Sequence, residues 1–292
     1  MKHQSNILAL KYRPLNFQDL IGQEYLVETI QKSIQQNKIP NAYIFTGIRG
    51  VGKTTTARIV AKMLNCTVFD KNNNPDLINC EQAKAITEDR HPDVIEIDAA
   101  SNTSVENARE IIENVKYNPV LGKYKVYIVD EVHMLSKSAF NALLKTLEEP
   151  PPHSKFIFAT TEISKVPITI LSRCQRFDLR RVEKKTLSDF LKSIAKKEDI
   201  TISIEALNLI VKASDGSVRD SLSILDQANV FKSQKEIQVE EIVNMLGFAR
   251  QGDLYELSKC ILDNNLSKLI SMLDDMYQRG SETSKIIEDM MN

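Results

Sequence analysis

Gly47-Ile48-Arg49-Gly50-Val51-Gly52-Lys53-Thr54 is the stretch from which the fold of this chain can be read. It fits the pattern G-x-x-x-x-G-K-[ST], whose glycines let successive backbone N–H groups curve around a polyphosphate. The apolar run Ala42-Tyr43-Ile44-Phe45 before it reads as a strand, and Thr55 to Leu64 after it reads as a helix. Strand, loop and helix together are the context the motif needs. In such a loop the helix N-terminus adds partial positive charge, Lys53 reaches the terminal phosphates and Thr54 offers its hydroxyl to Mg²⁺. Gly47, Gly50, Val51, Gly52, Lys53, Thr54 and Thr55 form the expected nucleotide cradle. The chain has only 9 glycines in 292 residues, so three within six positions are a feature of the loop and not of the composition.

A phosphate loop alone implies nucleotide binding; hydrolysis also needs a metal anchor and a group that positions water. Lys125-Val126-Tyr127-Ile128-Val129-Asp130-Glu131 reads as a buried strand ending in two carboxylates. In a parallel sheet the C-terminal end of that strand lies beside the phosphate loop. Asp130 is the candidate Mg²⁺ ligand, with Thr54, and Glu131 the candidate general base.

Composition bounds the rest. Hydrophobic residues make up 42% and charged residues 26% of the chain, the balance of a soluble globular protein, and no apolar run reaches membrane-spanning length. The first ten residues do not read as a secretory signal, and four irregularly spaced cysteines point to reduced thiols in a cytoplasm. A net charge of -1 gives no global footprint for nucleic acid, so DNA contact requires a local patch or several subunits.

Along the chain, strand-like runs at Tyr43 to Phe45, Val94 to Ile97, Val126 to Val129 and Phe156 to Ala159 alternate with helical stretches at Val105 to Val115 and Lys137 to Glu148. Such alternation predicts an α/β fold with a parallel sheet, its strands buried on both faces. Pro150-Pro151-Pro152 stops the second helix. From about Arg181 the pattern is helical throughout. Thr186-Leu187-Ser188-Asp189 and Ser217-Val218-Arg219-Asp220 each fit a capping box, and Ser203 fits a cap between them. Asn72-Asn73-Asn74 reads as part of a polar loop, and Met290-Met291-Asn292 arrives without a stop signal, as in a chain that continues.

The motifs GIRGVGKT and VDEVHML, followed by NALLKTLEEPP, FATTE, LSRC and GSVRDSL, resemble the gamma/tau family of bacterial DNA polymerase III clamp-loader subunits, within the AAA+ ATPases. The likeness runs from Lys11-Tyr12-Arg13-Pro14 and Gln23 to Asp226-Gln227-Ala228. It implies a RecA-like AAA+ domain over 1–180, a helical lid over 181–242 and, over 243–292, the start of a helical collar domain. It also implies site roles. Thr161 matches the sensor of the γ-phosphate and Arg219 the second sensor. Arg173 matches an arginine finger that acts in trans on the neighbouring subunit's ATP, and Tyr12 and Arg13 match the segment near adenine and ribose. The implied partners are other clamp-loader subunits, the sliding clamp and primed DNA, with polymerase core and helicase for a longer parent chain.

Two departures stand out. The family carries a four-cysteine zinc site after the phosphate-loop helix, whereas this chain has only Cys66 and Cys80 there. Structural zinc takes four ligands. Asp70, Asp76, Glu81 and His91 are the available supplements, but mixed carboxylate sites are uncommon, so zinc is expected to be absent. The second departure is Asn41, where the family usually has His.

The expected function is therefore that of an ATP-hydrolysing, Mg²⁺-dependent motor subunit in clamp loading. No polymerase site is recognisable, so polymerase activity would belong to the holoenzyme. Another AAA+ DNA-processing machine, such as a branch-migration helicase, would share the loop and the Asp-Glu pair. A non-hydrolysing scaffold is the third reading, against which Lys53, Thr54, Asp130 and Glu131 all argue.

Overall fold

The computed structural model describes residues 7–70, 75–231, 235–247, 251–278, 286–287 and 290. Asn72, Asn73, Asn74, Met291 and Asn292 lie outside them. In chain order the elements are α1 Leu8–Lys11, α2 Glu24–Gln35, β1 Ala42–Thr46, α3 Lys53–Asn65, α4 Glu81–Thr87, β2 Val94–Asp98 and α5 Val105–Val115. These are followed by β3 Lys125–Asp130, α6 Lys137–Glu148, β4 Ser154–Thr160, α7 Ile168–Leu171 and β5 Gln175–Asp178. The remainder is helical: α8 Lys184–Lys197, α9 Ile204–Ala213, α10 Val218–Phe231, α11 Val239–Leu246, α12 Gln251–Leu262 and α13 Leu266–Gln278.

Two compact units emerge, Met1–Leu187 with Gly216–Asp220, and Ser188–Asp215 with Ser221–Asn292. The first holds a five-stranded, wholly parallel sheet in the order β2-β3-β4-β1-β5. Side chains alternate across the strands, so each strand feeds two cores. Tyr43, Phe45, Val126, Ile128 and Ile157 meet Leu26 and Ile30 of α2 and Ile59, Val60 and Leu64 of α3 on one face. Ala42, Ile44, Tyr127, Val129, Phe156 and Phe158 meet Ile111 of α5, Phe140 and Leu143 of α6 and Ile170 of α7 on the other. This double coverage explains why β1, β3 and β4 read as unbroken apolar runs.

Three local expectations need correction. β2 is an edge strand and is only partly covered, with Val94, Ile95 and Ile97 half-buried and Glu96 and Asp98 exposed, so burial on both faces does not extend to it. β5 is a fifth strand that the sequence pattern did not mark: Gln175, Arg176 and Asp178 are exposed and only Phe177 is buried. It pairs along β1 through backbone hydrogen bonds, which leave no hydrophobic trace. Finally, α8 starts at Lys184, so Thr186 lies inside its first turn and is not its N-cap. The other two caps form, with Ser203 Oγ accepting from Ala206 N–H and Ser217 Oγ from Asp220 N–H, each at 3.2 Å.

In the second unit α9 and α11 pack together, and Ile202 bridges to Ile237 in parallel. Leu257 of α12 and Met276 of α13 form a further small core with Ile286. No described helix is long and apolar enough to cross a membrane.

Candidate nucleotide site

The parallel sheet brings its functional ends together. Thr46 is level with Thr160, and Val129 with Phe158, so the phosphate loop, Asp130-Glu131 and Thr160-Thr161 all leave the same edge of the sheet. β4 lies between the strand that feeds the loop and the strand that ends in the carboxylates.

The loop is shaped by backbone conformation. Gly52, with φ +101°, sits in the left-handed region immediately before α3, although a Cβ there would meet nothing nearer than Leu20 Cδ2 at 3.8 Å. At Gly50, φ is +78° and space is also lacking, because a Cβ would fall 2.0 Å from Ser217 Oγ. The Gly50 carbonyl accepts from Arg219 N–H at 3.2 Å, so the start of α10 rests directly on the loop.

Lys53, 5% exposed, donates through Nζ to the Ile48 carbonyl at 2.9 Å. Burial pulls its pKa down, while the nearby Glu131 and Asp130 carboxylates oppose that shift. Thr54 Oγ1 donates to Asp130 Oδ2 at 2.6 Å, and Asp130 Oδ1 accepts from Glu131 N–H at 2.9 Å. A hydroxyl and a carboxylate held this close form the hard-oxygen donor set that Mg²⁺ takes beside phosphate oxygens. With the buried ammonium and the glycine curve next to them, these residues fit a Mg²⁺-bound nucleoside polyphosphate.

Glu131, the first residue after β3, lies in the left-handed region with φ +45°, a conformation that costs a non-glycine residue about 1–2 kcal/mol. Its Oε2 accepts from both the N–H and the hydroxyl of Thr161, at 3.2 and 3.0 Å. Thr161 is thus tied to the candidate base. Two residues that the sequence reading did not single out complete this corner. His133 is buried, with Nδ1 3.0 Å from Thr160 Oγ1 and 3.4 Å from Glu131 Oε2, and Nε2 3.5 Å from Glu162 Oε1. Thr160 is fully buried, and its hydroxyl also accepts from Glu162 N–H at 3.0 Å. The motif VDEVHML contained His133, but only the turn after β3 swings it beneath the carboxylate.

Arg13 Nε donates to Thr55 Oγ1 at 3.2 Å, tying the N-terminal segment to the first turn of α3. Burial, then the charge of Arg58, lower the Arg13 pKa, and Arg219 contributes in the same direction. Tyr12 caps α1 and lies under Lys11 Nζ at 5.7 Å from its ring centre. The candidate residues from both ends of the first unit therefore converge on one loop and helix.

Arg173 does not join them. It lies two residues before β5, where Gln175 pairs with Tyr43 near the start of β1, whereas Asp178 pairs with Thr46 at the loop end. β5 spans three residue steps from Gln175 to Asp178, about 10 Å at about 3.3 Å per residue, and Arg173 precedes its far end from the loop by two further residues. Its partners are local: Nη1 donates to Thr169 O at 2.6 Å and Ser172 Oγ at 3.2 Å, and Nη2 pairs with Glu148. Arg173, Ser172 and Glu148 line a pocket of about 510 Å³ that Asn41 also borders, and Asn41 Oδ1 accepts from buried Lys155 Nζ at 2.8 Å.

Cys66 and Cys80 pack against each other with Ala83 and Leu77. Cys66 Sγ donates to Val68 O at 3.1 Å, and burial together with the neighbouring Cys80 pushes its thiol up to about 12. Two of the proposed supplements, Asp76 and His91, are engaged in local hydrogen bonds. Asp76 accepts from the backbone of Ile78 and Asn79, and His91 Nδ1 accepts from Asp93 N–H. Among the described residues no three His, Cys, Asp or Glu side chains are grouped to hold a metal.

The family model described as "DNA polymerase III, delta subunit" matches residues 22–183, and the one for the "DNA polymerase III clamp loader subunit, ATPase lid domain" matches 186–233. The chain is 45% identical to DNA polymerase III subunit tau of Bacillus subtilis (strain 168), over 96% of this chain and 49% of that one. It is 40% identical to the tau subunit of Escherichia coli (strain K12), over 98% and 44%. It is also 42% identical to DNA polymerase III subunit gamma of Buchnera aphidicola subsp. Schizaphis graminum, over 98% of this chain and 78% of the relative. The chain thus spans about half the length of the tau relatives. A solved structure of the Thermotoga maritima RuvB Holliday junction branch migration motor superimposes with a TM-score of 0.60 at 18% identity, covering 95% of this chain and 89% of that one. At that identity the likeness concerns the fold. On these matches, the chain belongs to the gamma/tau family of DNA polymerase III clamp-loader ATPase subunits.

Proposed function

We propose that the chain is an ATP-driven motor subunit of a bacterial clamp loader, working in the cytoplasm within a hetero-oligomer that opens the sliding clamp and loads it onto primed DNA. The observation that carries this reading is the separation within one fold of a complete nucleotide cradle and an arginine at the other end of the sheet. The loop of Gly47, Gly50, Val51 and Gly52 would hold the phosphates, with Lys53 on their terminal oxygens and Tyr12, Arg13 and Thr55 flanking the nucleoside side. Thr54 and Asp130 would hold Mg²⁺, whose charge neutralises the phosphate oxygens. Glu131 accepts a proton from the attacking water, with Thr161 fixing the direction of its carboxylate. In this reading Thr161 registers the γ-phosphate through that hydrogen bond, and Arg219 does so from the start of α10.

Arg173 serves the neighbouring subunit, since a guanidinium suits the spreading charge of phosphoryl transfer and its own cradle is out of reach. The division into an ATPase domain over 1–180, a lid over 181–242 and a collar segment over 243–292 belongs to the same proposal, as do contacts with polymerase core and helicase in a longer parent chain.

The test uses the full-length subunit with its partner subunits, clamp and primed DNA. Lys53→Ala should abolish nucleotide binding. Arg173→Ala should leave nucleotide affinity within about threefold while lowering assembled hydrolysis by at least about 10³-fold, the scale of arginine fingers. Equal loss of binding in both variants, or full hydrolysis by an isolated monomer, would overturn the trans role.

A further inference from the structure

Arg173 and Glu148 are held from two rigid supports. Glu148 is the last residue of α6, whose Leu143 and Leu147 are buried in the second core, and the chain then runs into Pro150-Pro151-Pro152. Arg173 follows α7, whose Ile170 is 1% exposed, and its backbone N–H donates to the Ile170 carbonyl at 3.0 Å. Both side chains remain accessible, at 31% for Arg173 and 49% for Glu148. An ion pair so open to water adds little to folding stability.

Its geometry suits orientation. A guanidinium has five N–H donors. Thr169 O and Ser172 Oγ take two from Nη1, and Glu148 takes one from Nη2, which leaves the Nε–H and one Nη2–H. The Ser172 hydroxyl is itself fixed, donating to Thr169 O at 3.1 Å. A long side chain with many rotamers is thereby held in one, with two donors that meet no partner among the described residues. Ordering the guanidinium beforehand removes an entropic cost that would otherwise fall on the transition state.

We propose that Glu148 is a positioning residue for the reaction: its carboxylate holds the Arg173 guanidinium in the orientation that meets the phosphates of a neighbouring subunit. The inference rests on the reading of Arg173 as a trans-acting finger. Asn41 and Leu147 complete the same pocket and leave its outer side open to an incoming subunit.

The experiment measures steady-state hydrolysis by the assembled complex, built from full-length subunits, for Glu148→Ala, Glu148→Gln, Arg173→Ala and the double variant Glu148→Ala/Arg173→Ala. Glu148→Ala is expected to lower kcat about tenfold with KM for ATP within twofold, because ATP binds to a different surface. Glu148→Gln, which keeps an acceptor, should recover kcat to within about threefold of the wild type. In the Arg173→Ala background, removing Glu148 should change nothing further. A full additional tenfold loss in the double variant, or a wild-type kcat for Glu148→Ala alongside a crippled Arg173→Ala, would overturn the positioning role while sparing the finger. If Arg173→Ala itself hydrolyses normally, the finger reading falls and the positioning role with it. Thermal melts of the single variants identify any loss due to misfolding, and Glu148→Gln then decides the question.

Discussion

Thr161 Oγ1 donates to Glu131 Oε2 at 3.0 Å, so the residue matched to the phosphate sensor and the candidate general base form one hydrogen-bonded unit. The backbone N–H of Thr161 supports the same oxygen. The pair joins the ends of two neighbouring strands, and any shift of β4 against β3 changes where the carboxylate points. Thr161→Val keeps the shape and the backbone donor but removes the hydroxyl. Hydrogen bonds to charged groups contribute about 1.5–3 kcal/mol. Assembled hydrolysis should fall at least about tenfold. Nucleotide affinity, measured by equilibrium titration, should change less than about threefold; a comparable loss of affinity would mean that Thr161 acts on binding instead.

Gly50→Ala should damage the loop even without nucleotide. The new methyl group would meet Ser217 Oγ in a backbone conformation that already disfavours side chains. A cost of about 2 kcal/mol is expected, which lowers the thermal midpoint by roughly 4–8 °C for a unit of this size. Adding Ser217→Gly should recover part of that loss. No recovery in the double variant would show that the conformation at Gly50, and not the approach of Ser217, sets the cost.

Lys62 provides a pH signature. It is 4% exposed, its Nζ donates to Leu15 O at 3.4 Å, and its pKa is lowered to about 8 by burial and then by Arg13 and Arg58. Its unfolded value is near 10.5, so between pH 8 and 10.5 the unfolded chain binds more protons than the folded one. Stability from this group therefore rises with pH across that window, by on the order of 1–3 kcal/mol. Urea unfolding of Lys62→Met, compared with the parent at pH 7.5 and 9.5, should lack that rise; an identical slope in both would place the titration elsewhere.

The cysteine pair should be indifferent to metal removal. Zinc requires thiolates, while the Cys66 thiol, pushed up to about 12, donates to the Val68 carbonyl. The purified full-length subunit should carry less than about 0.1 zinc per chain, against four-ligand sites that bind stoichiometrically. EDTA should leave its thermal midpoint unchanged. Stoichiometric zinc, or a midpoint that drops on chelation, would require ligands beyond these two.

What could be read from the sequence was whatever local chemistry dictates. GIRGVGKT demands a strand before it and a helix after it, and both form around it. The buried runs of β1, β3 and β4, and the caps at Ser203 and Ser217, were equally legible because each depends on neighbours a few residues away. β5 was not, since three of its four side chains face solvent and its register is fixed by hydrogen bonds to β1, more than a hundred residues earlier.

The site divides in the same way. Lys53, Thr54, Asp130 and Glu131 were singled out by residue type and position, because a phosphate and Mg²⁺ site would permit few substitutes. His133 beneath Glu131, Ser217 against Gly50, and Glu148 on Arg173 became visible only in three dimensions. The first depends on the backbone conformation of the turn after β3, and the other two join distant segments whose spacing carries no period, so packing of the sheet and helices decides them. The sequence determined which groups make up the candidate nucleotide site; only the tertiary structure decided which of them stand together at one end of the sheet and that Arg173 stands apart from them.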